Sequence, residues 1–153
     1  MSAKPPKPIG RKIRGSPCVA VIASRFNQEI ADELLRACLG RLFQIGIPSE
    51  EIEVHRVPGA FELPLSAKLA AKTGKFAAVI CLGVVIRGET PHFDYVAGEA
   101  ARGIQQVCLE TGVPVIFGVL TTNTEKQARQ RIVAGQRAAD AAVEMIELKS
   151  KLR

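Results

Sequence analysis

The chain has 153 residues, 47% of them hydrophobic and 24% charged, and its formal charge is +6; this suffices for one core without disulfide or metal support. Lys4, Lys7, Arg11, Lys12 and Arg14 lie in the first seventeen positions, which hold no acid, and the remainder is nearly balanced at sixteen basic against fifteen acidic residues, so a nucleic-acid surface is not expected on the folded part. No apolar run is long enough to span a bilayer, and the first one, 18–23, is too short for a signal-peptide core; a cytoplasmic protein with no membrane partner is expected.

In chain order, residues 1–17 form a basic tail in which Pro5, Pro6, Pro8 and Pro17 remove backbone donors, so this segment is expected to be extended or disordered. A single domain is expected over 18–153. It opens with a strand, 18–23, lacking polar alternation, as strands covered on both faces do. A helix from Asn27 to about Gln44 follows, with Ile30, Leu34, Cys38 and Leu42 at helical spacing, and Gly46 and Pro48 end it. Residues 52–57 read as the second strand, Pro58-Gly59 as a turn, and Phe61 to about Lys72 as a helix closed by Gly74. The third strand is expected at 77–82. A loop from Gly83 to Thr90 then leads to a helix over about 91–110, with Thr90 as its N-cap and Pro91 in the first helical position. Residues 115–120 supply the last strand. Thr124-x-x-Gln127 has the form of a capping box, and helical sequence continues from it with a break near Gly135.

Helices alternating with short apolar strands imply right-handed crossovers, a four-stranded parallel sheet and helices on both faces. This is a three-layer, flavodoxin-like α/β sandwich. Such sheets bind ligands at the rim formed by the loops after their strands. In the third of these loops, Gly88 permits close approach of backbone, Thr90 offers a hydroxyl, and a helix start favours an anion; Glu89 opposes one unless its carboxylate points away. His92, in the first turn of the following helix, carries a ring of the type that exchanges protons near neutrality. His55 lies within a strand and reads as structural. Phe26 is either a ring to stack on a heterocycle or a hydrophobic staple for the helix after it. Glu62 either complements a helix dipole or accepts hydrogen bonds from a ligand. Arg131 lies seven residues after Thr124, two helical turns along the same face, where a guanidinium clamp on phosphate is geometrically allowed. Cys18, Cys38, Cys81 and Cys108 show neither C-x-x-C pairing nor metal-ligand spacing and read as buried free thiols. No Gly-rich nucleotide loop or nucleophile triad can be assembled.

Taken together, R-F-N (Arg25–Asn27), G-A-F-E-L-P (Gly59–Pro64), G-V-V-I-R-G-E-T-P-H-F-D-Y-V (Gly83–Val96) and F-G-V-L-T-T-N-T-E-K-Q-A (Phe117–Ala128) resemble the lumazine synthase family, over about residues 17–148. The resemblance implies a transferase of riboflavin biosynthesis. It would condense 5-amino-6-(ribitylamino)uracil with 3,4-dihydroxy-2-butanone 4-phosphate to 6,7-dimethyl-8-ribityllumazine, without a cofactor or metal. It also implies roles for individual residues. Phe26 would stack on the pyrimidine, while Ala60, Phe61 and Glu62 would hold its ring and ribityl chain. Backbone groups of Val84, Val85 and Ile86 would read the ring edge, and Phe117 would close the pocket from a neighbouring subunit. Glu89, Thr90 and Arg131 would meet the sugar phosphate, with His92 as the proton-transfer residue. Family members form pentamers or multiples of pentamers with sites between subunits, and riboflavin synthase is a partner the resemblance allows. The sequence departs from the family at Gly135-Gln136-Arg137-Ala138, where a Lys in a G-N-K-G-like context is usual and where Arg137 offers the charge instead. A shell-forming or riboflavin-binding homologue without catalysis would keep Phe26, but retention of His92 and Arg131 speaks for an enzyme.

Overall fold

A computed structural model describes residues 4–7 and 17–153; the expectation for the rest of the basic tail lies outside the described residues. The apolar run after Pro17 forms β1 (Val19–Ser24), every residue of which is buried. It is followed by α1 (Gln28–Ile45), β2 (Ile52–Val57), a 3-10 turn at Ala60–Glu62, α2 (Leu63–Lys72) and β3 (Ala78–Ile86). The chain continues through α3 (His92–Thr111), β4 (Val115–Thr122), α4 (Glu125–Arg129) and α5 (Ala134–Lys151). The strands make one sheet in the order β2-β1-β3-β4, and all three pairings are parallel.

Strand residues alternate between two cores because successive Cβ atoms point to opposite faces. Val19, Val21, Ile80, Leu82 and Val84 pack beneath α1 and α5 with Leu34, Cys38, Leu42, Ala139 and Val143. On the other face Ala20, Ile22, Val79, Cys81 and Val119 pack with Leu63 and Ala67 of α2 and Ala100, Ile104 and Val107 of α3. Each fully buried Leu or Ile contributes about 1.5–3 kcal/mol relative to exposure, so the two faces together specify strand register. Four-stranded, three-layered and parallel, the architecture is the flavodoxin-like α/β fold anticipated from the sequence.

Several local expectations are corrected. The third strand does not stop at Leu82 but runs to Ile86, and β4 extends correspondingly to Thr122, paired through Ile86 and Thr122. Gly83 suggests a break only in isolation. A Cβ there would lie 3.0 Å from Ser24 Oγ and 3.3 Å from Leu63 Cδ1, so the glycine admits close packing within a strand rather than a turn. Pro91, not Thr90, occupies the N-cap position of α3 and makes no side-chain cap, although Thr90 Oγ1 accepts a long hydrogen bond of 3.5 Å from His92 N. Thr124 does cap α4, accepting from Gln127 N at 3.1 Å, but Gln127 returns its side chain to Asn123 N at 2.8 Å instead of to Thr124. The helical break falls just before Gly135, because Arg131, Ala134 and Gly135 donate to carbonyls three residues back. The helix thus ends before Arg131, and the two-turn placement of that residue does not hold. Of the four thiols, all free, only Cys38 and Cys81 are buried, whereas Cys18 and Cys108 are half-buried at the ends of elements.

Candidate active site

In this strand order, the chain leaves β1 for β2 on one side and β3 leads to β4 on the other, so the C-terminal ends of β1 and β3 flank the switch point where such sheets open a crevice. A cavity of about 640 Å³ lies there. Its walls come from the loop after β1 (Phe26, Asn27), the turn after β2 (Pro58 to Glu62), the end of β3 (Val84 to Ile86) and the segment into α3 (Gly88, Thr90, His92, Phe93, Tyr95, Val96).

The first loop is fixed from three directions. Arg25 N and Phe26 N donate to Val57 O and Pro58 O at 2.8 and 3.0 Å, tying it to the turn after β2. Asn27 adopts the left-handed conformation, φ 55°, and its Nδ2 donates to Val84 O at 3.2 Å. Asn tolerates this conformation better than most residues. Arg56, in β2, donates to Ala23 O and Ser24 O at 3.2 and 3.1 Å and to Asp32 Oδ1 at 2.8 Å, so one guanidinium joins the end of β1 to the first turns of α1. Phe26 itself remains 71% exposed; it is not a staple buried against the helix.

The other walls add aromatic surface and a few polar groups. Phe61 and Tyr95 are 60% and 69% exposed. Ala60 is buried in the 3-10 turn that presents Phe61 and Glu62. Because β1 pairs with β3 only as far as Leu82, the last turn of β3 runs past its neighbour. Arg87 N donates to Thr122 O on the β4 side at 2.9 Å, and alternation along the strand turns the Ile86 backbone groups the opposite way, toward the cavity side. His92 is exposed in the first turn of α3, beside Thr90 and Gly88.

The cavity thus brings together Phe26, Ala60, Phe61, Glu62, Val84, Val85, Ile86, Thr90 and His92. Three further candidates stand outside it. Glu89 is exposed between two cavity residues but does not line the wall. Arg131 turns its guanidinium to Gln127 O, 2.9 Å away, in the segment after α4. Phe117 is 43% exposed in a second, smaller cleft of about 270 Å³ between β4 and α5, which it shares with Arg137. Asn27, Pro58, Gly59, Phe93, Tyr95 and Val96 also line the main cavity and were not singled out in the sequence. For Tyr95 and Val96 the signal was present: they follow His92 at spacings of three and four, which share a helix face. His55 lies on the exposed part of β2, 3.2 Å from Glu53, and lines neither cavity.

Titration and coordination chemistry narrow what the site can do. Burial pushes the Cys38 and Cys81 thiols up to about 12, so neither offers a thiolate near neutrality, and neither lines the cavity. Among the described residues no three His, Cys, Asp or Glu side chains group as a metal site. What the walls offer is flat apolar surface, backbone polar groups, one carboxylate, one imidazole and the polar side chains of Asn27, Thr90 and Tyr95, a set suited to orienting a heterocycle and moving protons.

Residues 16–150 match the family model described as 6,7-dimethyl-8-ribityllumazine synthase. The chain belongs to this family. Similar proteins of the same name occur in Desulfatibacillum aliphaticivorans, 52% identical over 130 residues and 84% of both chains, and in Desulfotalea psychrophila, 53% identical over 131 residues and 84% of both chains. The relative in Syntrophus aciditrophicus is 49% identical over 146 residues, covering 94% of this chain and 95% of its own. This last match runs through all four rim loops, so the lumazine synthase resemblance read from the motifs extends over nearly the whole sequence.

Proposed function

We propose that this chain catalyses the reaction for which its relatives are named: condensation of 5-amino-6-(ribitylamino)uracil with 3,4-dihydroxy-2-butanone 4-phosphate to 6,7-dimethyl-8-ribityllumazine, in riboflavin biosynthesis. The observation that carries this reading is the single cavity at the switch point, where Phe26, the Ala60-Phe61-Glu62 turn, Thr90 and His92 converge. Phe26 stacks on the pyrimidine, Glu62 accepts from its ring or ribityl donors, and the backbone at Val84 to Ile86 reads its edge. The amine of that substrate adds to the ketone and loses water to give an imine; phosphate is eliminated, and the second amine closes the ring with loss of water. His92 moves protons in these steps, a role worth about 10²–10⁴-fold. Orientation of two bound reactants contributes more, up to roughly 7–11 kcal/mol.

The phosphate is held by Thr90 and Glu89, the latter through its amide, and by Arg131. Arg131 and Phe117 both lie away from this chain's own cavity, which supports a site completed by a neighbouring copy. We read the protein as a pentamer or a multiple of pentamers in the cytoplasm, able to associate with riboflavin synthase, with one enzyme domain over residues 18–153 and the basic tail before it. The apolar side chains of Phe61, Leu65, Leu69 and Leu109, all more than half exposed in the isolated chain, support burial against other copies. No helix among the described residues is long and apolar enough to cross a membrane. The test is to mix the purified protein with both substrates. A new fluorescent pteridine with stoichiometric inorganic phosphate is expected; loss of the sugar phosphate without pteridine would overturn the assignment.

A further inference from the structure

We propose that Arg87 is a positioning residue that holds the first turn of α3, and with it the imidazole of His92, against the loop that begins α4. The inference rests on the proton-transfer role assigned to His92 above. The start of α3 is held only weakly from within: the N-cap is Pro91, whose side chain cannot cap, and His92 N donates to Thr90 Oγ1 at a long 3.5 Å. A weakly capped terminus leaves the first turn freer to adjust than one with a well-formed side-chain cap.

Arg87 adds a stronger restraint from outside. It follows the last residue of β3, and its backbone N–H continues the ladder to Thr122 O at 2.9 Å, so the base of its side chain is fixed by the sheet. Its guanidinium carbon lies 4.4 Å from the centre of the Phe93 ring, and one terminal nitrogen is 3.5 Å from Asp94 Oδ1. These are the two residues immediately after His92. On its other side, Nε donates to Asn123 Oδ1 at 3.0 Å. Asn123 is itself held by Gln127 Oε1, which accepts its N–H at 2.8 Å within the capping arrangement of α4. One planar cation therefore spans the segment bearing the imidazole and the segment leading to Arg131. Planarity matters: the guanidinium can lie over the ring and still direct an in-plane N–H to the amide oxygen, which an ammonium cannot do.

Each contact is partly solvated, and such contacts contribute little to folding. Their effect is directional, because displacement of a catalytic group by about 1 Å can cost on the order of 100-fold in rate. Arg87→Met is therefore expected to lower kcat between about 10- and 100-fold, leaving the melting temperature and the dissociation constant of the pyrimidine substrate near those of the parent. Arg87→Lys, which keeps the charge near Asp94 and the ring, is expected to recover part of the rate. Asn123→Ala, which cuts the clasp at its far end, should lose rate in the same direction. The decisive measurement is the double variant with His92→Ala: if Arg87 works through the imidazole, it should be no slower than His92→Ala alone. Losses that multiply, or pyrimidine affinity that falls as far as kcat, would overturn the proposal. A slowed His92→Ala beside a full-speed Arg87→Met would sink this inference alone, whereas a full-speed His92→Ala would remove the proton-transfer reading and this one with it.

Discussion

His92 sits on a helix whose first turn faces the switch-point cavity, and no thiol lines that cavity beside it. Replacement by Ala is expected to slow turnover about 10²–10⁴-fold with pyrimidine binding retained; an unchanged rate under saturating substrates would show that another group moves the protons. Arg131 differs in kind, since its guanidinium rests on Gln127 O and outside the cavity of its own chain. If a neighbouring protomer presents it to phosphate, Arg131→Ala should raise the KM for the sugar phosphate while leaving that for the pyrimidine substrate close to the parent value. Equal losses for both substrates in steady-state kinetics would contradict the phosphate role. The roles proposed for the pair are separable by kinetics: proton movement changes kcat, and anion capture changes KM.

At the scale of elements, α5 packs closely on α1 at Gly135 in its first turn. A Cβ built there would fall 2.3 Å from Leu34 O and 3.1 Å from Ala37 Cβ of α1, so the two helices are separated by backbone alone at this point. Gly135→Ala should destabilise the fold by about 1–3 kcal/mol through overpacking, readable as a lower melting temperature; an unchanged melting temperature would mean that α5 moves away at no cost. Periodicity and capping signals were sufficient to place four strands and the helices between them, because buried parallel strands have continuous apolar runs and the helices carry their own spacing. Two boundaries were not legible for a shared reason. Gly83 and Pro91 are punctuation in a one-dimensional reading, but Gly83 gives room to Ser24 Oγ of β1 and Leu63 of α2, and Pro91 takes the cap position itself. The same limit applied to the site. Residues at rim loops could be selected from local chemistry, whereas Asn27 and Arg56, which fix the loop bearing Phe26, act through partners 57 and 24 or more residues away. Long-range hydrogen bonds leave no periodic trace.

For the whole molecule, the cavity of one chain contains the aromatic and imidazole groups, while Phe117, Arg131 and Arg137 face elsewhere. The proposed completion of the site by a neighbour predicts that catalytic activity and assembly rise together. Light scattering at micromolar concentration should give a mass at least five times that of the 16.4 kDa chain; a fully active monomer would contradict the shared site. Phe26, Phe61 and Tyr95 also have a thermodynamic consequence. Covering three wetted rings removes structured hydration, so formation of the complex with the pyrimidine substrate should lower the heat capacity of the system. In titration calorimetry the binding enthalpy would then become steadily more exothermic as temperature rises, at a slope that shrinks when Phe26 is replaced by Ala.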